Sequence, residues 1–144
     1  MNRPILLLFT ILFLLAEPLF AQDLSVFNCI GKNKSEIIKA FGQPAHIDNS
    51  IPSMVCIFYK NPNMVFVLDE TGIYQADIVK KYSSEKELRK DLSRCIEKSI
   101  AAGFRSDTLS AGSITLRGPG VTAEVVILSN NNTYKLKIEA KRHE

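Results

Sequence analysis

Apolar positions along this chain recur at two different periods, and the switches between them mark the elements. Within Ser83 to Phe104, Leu88, Leu92, Cys95, Ile96, Ile100 and Phe104 fall three and four apart. They form one stripe on a helix, the longest helical pattern in the chain. Ser84 and Glu87 have the spacing of a capping box, and Gly103 sits where a left-handed C-terminal cap is expected. Glu85 with Arg89 and Asp91 with Arg94 are opposite-charge pairs on its polar side. A second, shorter helix is predicted between Asn33 and Gly42. Asn33 and Glu36 cap its start, Ile37, Ile38 and Phe41 form its buried side, and Gly42 with Pro44 end it.

The remaining apolar runs have strand character. Met54 to Lys60 is β-branched and aromatic, and Asn61-Pro62-Asn63 turns it into Met64 to Leu68. Asp69 to Gly72 turns again into Ile73 to Lys80. Beyond the long helix, Ser113 to Arg117, Val121 to Leu128 and Thr133 to Lys141 alternate apolar with polar residues, with Gly118-Pro119-Gly120 and Ser129 to Asn132 as turns. The predicted fold class is α+β. Two helix-then-three-strand units (αβββαβββ), residues 33–80 and 84–141, form an antiparallel sheet with both helices on one face.

Length and charge narrow the class. Of the 144 residues, the first 21 have a basic start at Arg3, an apolar run from Ile5 to Leu15 and small Ala21 at the end. That pattern predicts a signal peptide at 1–21, followed by a single domain at 22–144 and no integral membrane span after cleavage. Arg3 and Glu17 leave together, so the net charge of +3 is unchanged. A surplus that small, spread along the chain, argues against a nucleic-acid partner. No cysteine closely follows the apolar run, so a lipid-attachment signal is absent.

Candidate chemistry is sparse. Cys29, Cys56 and Cys95 all lie in the exported part, where an oxidising compartment permits one disulfide and leaves one thiol over. Any of the three pairings is open, with Cys29–Cys95 favoured, and so are three buried thiols. The cysteines and His46 lack C-x-x-C spacing, which argues against a metal site, and no cofactor motif occurs. His46, beside Asp48 and Ser53 and with Cys56 nearby, is the one seed for a hydrolase.

The first unit resembles a known group. Gly31, the capped helix, Gly42-x-Pro44, and a hairpin ending in Phe66-Val67-Leu68-Asp69 with Gly72 resemble a superfamily of small exported bacterial proteins. It contains the β-lactamase-inhibitor proteins and the small lipoproteins of the outer-membrane assembly machinery. The resemblance implies an exported, non-catalytic binding module for a protein or envelope partner, with a small hydrolase using His46 as the alternative. The residue pattern also suggests where binding occurs. Met54 to Tyr59 and Met64 to Leu68 are apolar on both faces, while helices cover one. Val55, Ile57 and Tyr59, with Val65 and Val67 beside them, are the candidate outward set, available to a partner or a second copy of the chain.

Overall fold

The computed structural model describes residues 24–143; the leader-like segment 1–21 lies outside them. Val26–Cys29 forms a 3-10 turn, followed by α1 (Lys34–Phe41) and strands β1 (His46–Ile51), β2 (Met54–Tyr59), β3 (Asn63–Asp69) and β4 (Gly72–Tyr82). Then come α2 (Glu85–Ala101) and β5 (Arg105–Ser110), β6 (Ser113–Gly118), β7 (Val121–Asn130) and β8 (Thr133–Arg142).

All eight strands make one antiparallel sheet in the order β1-β2-β3-β4-β8-β7-β6-β5. This corrects the expected αβββαβββ pattern: each helix is followed by four strands, and the sheet dominates the fold. The two missed strands, β1 and β5, are the sheet's edges. Neither contains a fully buried residue, and all six positions of β5 are exposed. An edge strand with no apolar face to hide shows no period-2 hydrophobic signal, so RSDTLS reads as a loop. Each unit is a four-stranded meander, and the two final strands, β4 and β8, pair along their length from Gln75–Lys141 to Tyr82–Tyr134.

The helices form for the reasons their sequences suggest, with two differences. In α1 the capping box is complete: Glu36 N donates to Asn33 Oδ1 at 3.0 Å, and Asn33 N donates to Glu36 Oε2 at 2.8 Å. Such a cap is worth about 0.5–2 kcal/mol, which matters in a helix this short. Phe41 then packs on Phe66 and Tyr59, with ring centroids 5.4 and 5.9 Å away, and Tyr59 Oη donates to Gly42 O at 2.9 Å. In α2 Ser84 accepts from Glu87 N at 3.3 Å, but the Glu87 carboxylate accepts from Ser83 Oγ rather than closing the box. The helix buries Leu88, Leu92, Cys95 and Ser99, whereas Ile100 is 55% exposed. Ser99 takes the stripe position because its hydroxyl is satisfied by Cys95 O at 2.6 Å. Gly103 at φ +90°, with Phe104 N donating to Ser99 O, closes the helix as a Schellman motif.

The core lies between these helical segments and one sheet face. Ile57, Phe66, Ala76, Ala140, Ala123 and Leu116 are directly opposite one another across six strands, and all six are fully buried. The three central members are alanines, and it is over β4, β8 and β7 that the 3-10 turn approaches. Small side chains there leave room for the buried Val26, Phe27 and Cys29. The lead-in is also hydrogen-bonded in place: Gly31 N donates to Ile73 O and Ile73 N to Lys32 O, at 2.7 and 2.9 Å. Gly72, at φ +110°, faces this crossing so closely that a Cβ would lie 2.5 Å from Gly31 O.

Two β4 side chains, Lys80 and Tyr82, pin α2 to the sheet through Asp91. Lys80 Nζ lies 2.6 Å from Asp91 Oδ2, Tyr82 Oη donates to the same oxygen at 3.1 Å, and Arg94 reaches Oδ1 at 3.5 Å. Burial, then the Asp91 charge, pushes the Tyr82 phenol well above its ordinary value, so it stays a donor.

Candidate functional site

The alternation of side chains in a strand means that a residue's partner across the sheet always shares its face. The side opposite the helical segments therefore consists of the complementary set of positions. Across the middle runs the row Phe58, Val65, Asp77, Glu139, Glu124, Thr115 and Asp107. One step along the strands lies a second row: Cys56, Val67, Gln75, Lys141, Thr122, Arg117 and Arg105. On the other side is a third: Asn63, Val79, Lys137, Val126 and Ser113. On β2 and β3 this open face is mostly apolar, with Val79 of β4 beside it; from Asp77 and Gln75 of β4 to β5 it is mostly polar and charged.

The sequence-derived binding set divides between the two faces. Val65 and Val67 are on the open face, partly buried. Ile57 is on the opposite one, fully buried in the core, and Val55 and Tyr59 pack against that core with it. This is a correction: Val65 pairs with Phe58 and Val67 with Cys56, so Val55, Ile57 and Tyr59 do not stand beside them. In β2 both alternating sets are apolar, so no periodicity could choose the phase. Met54, Cys56, Phe58, Val79, Val126 and Leu128 are open-face apolar residues that sequence reading missed. A usable signal existed in β4, where Asp77 marks the outward set and its partner Val65 follows it.

Electrostatics concentrate on the middle row. Asp77, Glu139 and Glu124 are directly opposite one another on three adjacent strands, an arrangement of like charges that costs stability. Cations on the flanking rows offset it. Lys137 Nζ lies 3.1 Å from Glu139 Oε2, and Lys141 pairs with Glu139 Oε1. The Lys141 hydrogen bond foremost holds the Glu139 carboxyl below its ordinary value, and reciprocally raises Lys141. Asp77 fares differently. Burial pushes its carboxyl above the usual carboxylate value; Gln75 Nε2, donating at 3.1 Å, opposes this, and the Glu139 charge adds to it. Its Oδ1 is buried and finds no hydrogen-bond partner among the described residues.

The β1 edge brings His46, Asp48 and Cys56 to the same face: His46 is opposite Phe58, and Asp48 opposite Cys56. The His46 ring lies 5.7 Å from that of Phe58, and Asp48 Oδ1 accepts from Ser50 N at 2.8 Å. Burial and then Asp48 raise the Cys56 thiol above its ordinary value, the reverse of what an attacking thiolate requires. No disulfide joins Cys29, Cys56 and Cys95, so the favoured Cys29–Cys95 pairing is absent. Among the described residues no group of three or more His, Cys, Asp or Glu side chains is arranged to hold a metal ion.

No family model matches the chain, and no curated protein matches it. Among solved structures, it is similar to an extracellular protein containing a SCP domain from Bacillus anthracis str. Ames, with 13% identity and a TM-score of 0.47. The match covers 84% of this chain and 46% of that one, so this chain spans less than half its length. No helix among the described residues is long and apolar enough to cross a membrane.

Proposed function

We propose that this is an exported, non-catalytic protein that binds a protein or envelope partner through the open face of its sheet. The observation that carries the reading is the β2–β4 portion of that face. Phe58, Val65, Val67 and Val79 lie together there, and every helical segment of the described chain packs elsewhere. A contiguous apolar patch on an uncovered sheet face is the kind of surface that marks a contact site. The leader-like residues 1–21 support export. The resemblance of the first unit to β-lactamase-inhibitor proteins and small assembly lipoproteins supports a binding role.

A small hydrolase using His46 is the rival. His46, Asp48 and Cys56 do share a face, but Cys56 adjoins the carboxylate directly and its thiol is held protonated. The binding reading is the one the geometry favours.

The test is capture from envelope extract with the wild-type protein and with Val67→Lys. Val67 points away from the core, so the variant should melt like the wild type. We expect a protein recovered by the wild type and lost with the variant. Identical recoveries from the two proteins, or none from either when neither self-associates, would overturn the proposal.

A further inference from the structure

We infer that the partner the open face fits is a second copy of this chain, stacked face to face about a twofold axis lying between its two central rows. The inference rests on reading that face as an association surface, and names its occupant.

The argument is column by column. A twofold axis running across the strands, between the row through Asp77 and the row through Gln75, exchanges the two rows while keeping each strand position. Val65 of one copy then meets Val67 of the other, and Phe58 meets Cys56, apolar on apolar. Glu139 meets Lys141, and Asp77 meets Gln75, a carboxylate opposite a donor in each case. At the far edge Asp107 meets Arg105. No column places like charges together. Within one copy Glu139 already pairs with Lys141 along its own strand. Across the axis, two such pairs become a closed ring of four alternating charges, while Asp77, Glu124 and Arg117 face the neutral hydrogen-bonding side chains of Gln75, Thr122 and Thr115.

This chain's own face supplies complementary apolar, anionic and cationic groups at the same spacing by rotation alone. Size permits it. Eight strands at about 4.8 Å spacing, with β4 eleven residues long at about 3.3 Å per residue, offer a face on the order of 1,000 Å². A standard interface needs about 800 Å² from each partner. Sheet twist rotates the outer strands of stacked faces out of register, so the match is tightest over β3, β4, β8 and β7.

The test exploits the geometry of the Glu139–Lys141 columns. Purified wild type should sediment as a reversible dimer. Glu139→Lys and Lys141→Glu should each weaken dimerisation by at least about tenfold, because each places like charges at two symmetry-related contacts. Mixed together, the two variants should dimerise again: every contact across the axis is then Lys against Glu, while the pair within each chain stays broken. Restoration on mixing therefore reads the intermolecular contact alone. A wild type that remains monomeric at several hundred micromolar overturns the inference. So do single variants that dimerise as the wild type does, or a mixture no better than its components. A monomeric wild type that still captures an envelope protein, lost in Val67→Lys, would sink the twofold pairing and leave the binding function standing.

Discussion

Asp77 shows how a single position can record a conflict that the fold tolerates. It sits on the central strand of the open face, between apolar Val65 and the carboxylate of Glu139. Burial raises its folded pKa above that of the unfolded chain. The ionised form therefore costs stability at neutral pH, and that cost fades as pH falls through the folded pKa. Asp77→Asn keeps an acceptor for Gln75 and removes the like charge. It is expected to raise the unfolding free energy near pH 7 by roughly 0.2–1 kcal/mol, the scale of a directly opposed like-charge pair. Below about pH 3.5, where the unfolded carboxyl is itself protonated, the difference from wild type should disappear. Urea titrations at both pH values measure it; a variant less stable at neutral pH would mean the carboxylate is held by a partner group. Glu139 has the opposite sign. Its pKa is lowered by Lys141, so its contribution is present above the unfolded pKa and is lost as pH falls through the folded one.

At the scale of the element, β2 is the instructive strand. Met54, Cys56 and Phe58 alternate with Val55, Ile57 and Tyr59, and each set alone would make a credible buried face. The structure turns Ile57 inward on the side where Phe41 of α1 packs against Tyr59 and Phe66, with Tyr59 locked by its hydrogen bond to Gly42. The two neighbouring strands then separate in mutational response. Ile57→Ser should cost about 2–5 kcal/mol, since it empties a fully buried site and adds a hydroxyl there. Val67→Ser, on the open face, should cost less than about 1 kcal/mol. Equal losses in thermal or urea unfolding would contradict this placement. The helices tell the complementary story. Their caps at Asn33, Ser84 and Gly103 are local hydrogen-bond geometry, and local geometry is legible residue by residue. The exchange of Ile100 for Ser99 in the buried stripe was not legible, because it depends on which face the sheet presents.

For the whole molecule, the sheet order joins two four-stranded meanders by their last strands, so one core runs continuously across the junction of the units. The buried Cys29 and Cys95 are part of that core, while Cys56 is on the open face. With no disulfide among them, titration of the denatured protein without reductant should find three reactive thiols. One thiol would mean a bridge forms that this arrangement lacks. Stability here comes from burial beneath three helical segments rather than from a covalent staple.

Sequence alone determined whatever depends on neighbours in the chain: both helices, the Asn33 capping box, the Ser84 and Gly103 cap positions, the six strands with a buried face, and the turns at Asn61–Asn63 and Gly118–Gly120. Hydrogen-bond geometry and side-chain periodicity act over a few residues, so they leave a local record. Only the tertiary structure decided the rest. Edge strands β1 and β5 pair through their backbones, and backbone pairing leaves no mark in side-chain polarity. The phase of β2 was set by what packs over it. The acidic row through Asp77, Glu139 and Glu124 exists only because residues up to 62 positions apart in the chain become neighbours across three strands. The physical reason is the same in each case: a sheet's faces are made by pairing between strands, and pairing is a property of the folded chain.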